Sequence, residues 1–184
     1  DIHPKVSTPI PVGQYLESRA EFGIRDTYYL ISENGDAEWD EDDTQNRFMY
    51  DFFTEVETTL MRDYANSDNS NNGFTHEVRP YIEYSYIPDV DQDELPYFDS
   101  VDSIDEKNAI TYGVDNFFDL FGNSSRQYGY FKVYQSYSFA SDDSDEPFGD
   151  VNFKVGWNPM QHIGLTYKTK VDVYDGGFPY HSLE

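Results

Sequence analysis

The chain has 184 residues, a net charge of -24 from 36 acids against 12 bases, and no cysteine. Disulfides and thiolate chemistry are excluded, and a nucleic-acid backbone would be repelled. No apolar run reaches the roughly 18 residues of a membrane-spanning helix, yet an aromatic share of 18% is too high for a disordered acidic chain.

Apolar and polar residues alternate with a period of two, the mark of strands with unlike faces. From Ile2 to Ile10, Val6 and Thr8 oppose Lys5 and Ser7 before Pro9, Pro11 and Gly13 break the pattern. From Tyr15 to Ile31, Ala20, Phe22, Ile24, Tyr28 and Leu30 oppose Glu17, Arg19, Glu21, Arg25 and Thr27. An acidic stretch, Glu33–Asp43, follows. From Phe48 to Arg62, Tyr50, Phe52, Thr54 and Val56 oppose Asp51, Glu55 and Glu57, and Asn66–Gly73 reads as a turn.

The strand His76–Ile87 sets Val78, Pro80, Ile82, Tyr84 and Tyr86 against Glu77, Arg79, Tyr81, Glu83 and Ser85, and an acidic loop runs on to about Asn108. Further alternating segments span Ala109–Leu120, Gln127–Phe139 (with Lys132 on the polar parity), Gly149–Trp157, and His162–Tyr174 (with Lys168 and Lys170). Gly122–Ser125, the acidic Asp142–Glu146, Asn158-Pro159 and Asp175–Gly177 separate them. No helical periodicity of comparable length occurs.

These segments run about 9 to 16 residues, the length of a tilted membrane-spanning strand. Connections after the first, fifth and seventh segments are short, those after the second and fourth are long and acidic, and those after the third and sixth are intermediate and blur the rule; this tends toward the asymmetry of an outer-membrane barrel. Aromatic side chains gather near segment ends (Tyr28, Tyr86, Phe118, Phe139, Trp157, Tyr174), as at a membrane interface. The expected fold is all-β: one segment, 1–184, of an antiparallel up-and-down transmembrane barrel of about eight long strands. A soluble β-sandwich gives the same alternation and stays open as an alternative.

No catalytic motif is present: no G-x-S-x-G, no P-loop, no H-E-x-x-H and no dinucleotide fingerprint. No enzyme, cofactor or metal is expected. His76 and His162 are read as strand-start residues on the polar parity. Asp89-x-Asp91-x-Asp93 begins like an EF-hand loop but lacks the Gly and Glu that such a loop needs. Asn123-Ser124-Ser125 is a glycosylation sequon by pattern alone.

The stretch His76–Ser100 carries a resemblance. H-x-x-x-P-x-x-x-Y-x-Y-x-P leading into D-Q-x-x-L-P-x-F-D-S resembles the barrel domain of the outer-membrane LPS-assembly family LptD (Imp or OstA). The matching residues are His76, Pro80, Tyr84, Tyr86, Pro88, Asp91, Gln92, Leu95, Pro96, Phe98, Asp99 and Ser100. Asn108–Gly113 looks like that family's next strand start, with weaker matches at His3-Pro4, Arg25-x-Thr27-x-Tyr29 and Tyr174-Asp175-Gly176-x-Phe178. The family's G-x-D-R-I element after F-D-S is absent, as are its cysteines, periplasmic domain and terminal aromatic strand.

The resemblance implies an interior piece of a larger barrel, an open or imperfectly closed sheet. It implies an outer-membrane translocon that places lipopolysaccharide in the outer leaflet. The partners implied are lipopolysaccharide, outer-membrane lipid, a plug lipoprotein (LptE-like) and a periplasmic bridge component (LptA-like). The apolar parity is then expected to meet lipid. Glu17, Arg19, Arg25, Glu55, Glu57, Glu77, Arg79, Glu83, Lys132, Lys168 and Lys170 are expected to face the lumen. A porin-like channel and a soluble carbohydrate-binding module are the alternative readings.

Overall fold

The computed structural model describes residues 1–31, 43–66, 69–96, 103–122, 125–140 and 145–184. Among these residues ten strands form one antiparallel sheet: β1 Lys5–Pro9, β2 Glu17–Leu30, β3 Thr44–Glu57, β4 Leu60–Asn66, β5 Asn69–Ile87, β6 Lys107–Phe121, β7 Arg126–Ser138, β8 Val151–Met160, β9 Ile163–Val171 and β10 Tyr180–Leu183. Neighbours in space are neighbours in sequence, β1-β2-β3-β5-β6-β7-β8-β9-β10, with β4 also on β5. The sheet does not close on itself, as an open piece of a barrel requires.

β3 and β4 occupy one continuous register along β5. Glu57 opposes Tyr81 and Leu60 opposes Val78, so Thr58 falls opposite Pro80. An antiparallel hydrogen-bonded pair exchanges two bonds, but proline has no N–H to give. Only half the exchange forms, Thr58 N donating to Pro80 O at 3.2 Å, and the strand is interrupted at Thr58–Thr59. The alternating segment expected over Phe48–Arg62 is therefore one strand path broken by a proline on its neighbour. Below the break β2 has already turned, so β4 pairs with β5 alone.

Three boundaries differ from the sequence expectation. Asn69–Gly73 belong to β5 and not to a turn, which leaves only residues 67–68 between β4 and β5. Asn158-Pro159 lie inside β8 at a register shift, and the turn falls at Gln161-His162. β10 lay within no expected segment. With these corrections the connections sort cleanly: 10–16, 67–68, 122–125 and 161–162 at one end, and the longer 31–43, 88–106, 139–150 and 172–179 at the other.

Residues directly opposed in an antiparallel pair share a face, so the registers fix both faces across the sheet. One row of the apolar face reads Phe22, Phe52, Tyr86 and another reads Val114, Val133, Phe153. Nothing among the described residues covers this face: Phe22 is 46% and Trp157 47% exposed. The buried apolar side chains on the described strands are Tyr29 and Met49, both on the polar face. A single sheet without a sandwiched core leaves its apolar side to an outside phase, which removes the β-sandwich reading.

Candidate functional site

The sheet registers gather the expected lumen residues on the polar face. Arg19, Glu55 and Glu83 stand in one row across β2, β3 and β5. Glu17, Glu57 and Tyr81 form the next. Arg79, Asp115, Lys132, Lys154 and Lys168 form a third across β5 to β9. Arg25 opposes Met49, Glu77 opposes Phe117 and Lys170 opposes Asn152 on the same side. All eleven expected residues thus share one face.

Charge is divided unequally along that face. β2, β3, β5 and β6 mix acids and bases, whereas β7, β8 and β9 contain no Asp or Glu and carry Lys132, Lys154, Lys168 and Lys170 on the polar side. Lys132 pairs with Asp115 and lies 4.9 Å from the Phe117 ring centroid. Lys154 lies over Tyr130 at 5.5 Å, and Lys168 binds Glu184 at 2.6 Å. At the acidic end Arg19 Nε donates to Glu55 Oε2 at 2.9 Å, while Arg79 pairs with Glu77 and stacks on Phe117 at 5.1 Å. Lys154 has the polar parity of its segment but is not among the eleven residues expected to face the lumen, although its row places it between Lys132 and Lys168.

Aromatic rings lie flat on this face across glycines. Tyr81 directly opposes Gly113 and Tyr130 directly opposes Gly156. A Cβ on Gly113 would stand 2.8 Å from Tyr81 Cζ, and one on Gly156 would collide with the Tyr130 ring. Tyr130 crosses β8 entirely and its hydroxyl meets Thr166 Oγ1 on β9 at 3.2 Å. Three strands are tied by one side chain, and the glycine, a weak strand residue alone, regains packing.

The motif residues build the upper half of β5 and its loop. Tyr84 Oη donates to Asn108 Oδ1 at 3.0 Å, joining β5 to the start of β6. Tyr86 packs against Tyr50 at 5.9 Å. Asp91 caps the turn by accepting from Asp93 N at 3.1 Å, and Leu95 N donates to Gln92 O. Gln92 is the clasp: its Nε2 donates to Ile104 O at 2.8 Å and its Oε1 accepts from Ile104 N at 3.2 Å and Arg47 Nη1 at 2.8 Å.

That clasp ties the loop to Arg47 on the polar face of β3, where Thr27, Tyr29, Arg47 and Met49 are buried across β2 and β3. Arg47 sits 5.9 Å from the Tyr29 ring. Pro96 is buried, Pro88 and Leu95 are half-buried, and Asp1 binds Arg25 and Thr27 nearby. Phe98, Asp99 and Ser100 lie outside the described residues, as do Asn123-Ser124 and the acidic stretch Glu33–Asp43 except Asp43.

His76 departs from its expected place. It stands within β5, which begins seven residues earlier at Asn69, and its parity puts it on the same face as Val78 and Pro80. Its ring stacks on Phe118 at 4.7 Å and 6°, with Nε2 3.2 Å from Asn116 Oδ1. His162 lies in the β8–β9 turn and not at a strand start.

A family model described as LPS transport system D, LptD, matches residues 1–184, the whole chain. No curated protein matches it.

Proposed function

Since the chain belongs to the LptD family of lipopolysaccharide transport proteins, we propose that this sheet is part of the wall of an outer-membrane translocon whose polar face lines the path of lipopolysaccharide. Family membership implies transport of lipopolysaccharide and an outer-membrane location, and it sets aside the solute-channel and carbohydrate-module readings. The observation that carries the finer reading is the two-faced register. One face is apolar and, among the described residues, uncovered, and the other holds every expected polar residue in rows set by the strand pairing.

A lipopolysaccharide head bears sugars and phosphates. The lysine strip on β7–β9 offers charge-assisted donors to phosphate, and Tyr81, Tyr130 and Tyr134, the last opposite Gly113 on the same face, offer ring faces and hydroxyls to sugar. The acyl chains leave the lumen sideways into lipid, away from this wall. In this reading the plug lipoprotein contacts the polar face, and the periplasmic bridge meets the barrel from the side of the short connections.

Adjacent residues on opposite faces supply the test. A photo-crosslinking amino acid at Lys154 in the intact protein should capture lipopolysaccharide in cells, and the same group at Val155 should capture far less. Capture at Val155 with none at Lys154 would reverse the assignment of the faces. No capture at either would remove this wall from the path.

A further inference from the structure

Gly129 opens a notch in the apolar face. The register sets Phe118, Gly129 and Trp157 side by side on β6, β7 and β8, so the position between two large rings carries no side chain. The register shifts beside it, between Phe118 and Asp119, and leaves Tyr128 unpaired. Bulges of this kind re-aim side chains. The outcome is a groove of about 620 Å³ walled by Phe118, Leu120, Tyr128, Phe131, Val155 and Trp157 and floored by Gly129.

The groove lies at the end of the sheet that bears the short connections, where Arg126 stands beside two of its walls, Leu120 and Tyr128. Arg126 opposes Leu120, so it stands at the edge of the apolar face and not on the polar one. Its Nη1 donates to Asn158 O at 2.6 Å and its Nη2 to Pro159 O at 2.7 Å. The side chain rests 5.9 Å from the Tyr128 ring. Among the described residues no carboxylate forms an ion pair with it. A guanidinium has five N–H donors, so the two carbonyls anchor the fork without exhausting it. This is a cation held at the mouth of an apolar trough, in a chain of net charge -24.

We infer that this groove binds one phospholipid of the leaflet next to the short connections, an acyl chain lying along Gly129 and the phosphate meeting Arg126. Apolar walls without charge fit a hydrocarbon chain. The arginine at the interface fits a phosphate, which it contacts by charge-assisted hydrogen bonds. Tyr128 and Trp157 flank the mouth as interfacial aromatics do. The inference rests on the placement of the apolar face against lipid.

Trp157 reports directly on the groove. The intact protein, with Trp157 kept as its sole tryptophan, is titrated in maltoside micelles with phosphatidylglycerol brominated on its acyl chains. A parallel titration uses diacylglycerol with the same brominated chains and no phosphate. Quenching by the phospholipid should be saturable and half-complete at an about tenfold lower mole fraction, the ratio expected of one charge-assisted hydrogen bond. Arg126→Gln should bring the phospholipid to the diacylglycerol value. Val155→Phe, which narrows the groove, should weaken quenching by both. Equal quenching by the two lipids in the parent protein overturns the inference while leaving the face against lipid. Quenching by neither overturns the facing itself.

Discussion

Ile82 is 47% exposed between Val56 on β3 and Tyr112 on β6, on the face assigned to lipid. A charge there would be buried in hydrocarbon with no partner. Ile82→Lys is therefore expected to cost about 2–4 kcal/mol near the bilayer midplane, read as a shift in urea unfolding of the protein refolded into vesicles. An unchanged midpoint would place Ile82 in water and exchange the faces. Alternation alone pointed out most polar-face residues. His76 is the exception to the expected polar placement: its number has the parity of Val78, and its register and stacking against Phe118 put it on the apolar face. Cross-strand partners such as Tyr130 over Gly156 were not legible at all, because a sequence does not print its register.

β3 and β4 show what one residue does to an element. The break at Thr58–Thr59 follows from Pro80 on the neighbouring strand and not from Thr58 or Thr59 themselves, both good strand formers. Pro80→Ala supplies the missing donor opposite Thr58. The two pieces should then fuse into one strand, with slowed amide exchange at Thr58 and Leu60 and a gain of about 0.5–1.5 kcal/mol, the net worth of one hydrogen bond. Unchanged exchange at both positions would show that the interruption has another origin. Gln92 does the complementary work for the loop, holding Ile104 and Arg47 at once. The D-Q-x-E-L-P stretch could be recognised from sequence, but its reach back to Arg47 spans 45 positions and no local pattern announces it.

The whole sheet has open edges: the outer sides of β1 and β10, and that of β4 below the break. Unpaired edges seek partners, and only closure or covering removes them. The 184-residue chain refolded alone in detergent is therefore expected to lack the compact, heat-modifiable gel migration of a closed barrel. A heat-modifiable monomer band would show that the chain closes by itself. In the wall proposed above, those edges are where further strands would join.

The amino-acid order alone established the all-β class, the two faces, the placement of most strands and the family, because a period of two and a motif are local properties that survive without coordinates. The register depended on the folded sheet. It aligned Arg79, Asp115, Lys132, Lys154 and Lys168 in one row, continued β3 into β4 past Pro80, and set Gly129 between Phe118 and Trp157. The physical reason is that a strand's faces follow from its own residues, whereas each row and each notch requires hydrogen-bonded pairing between strands far apart in the chain.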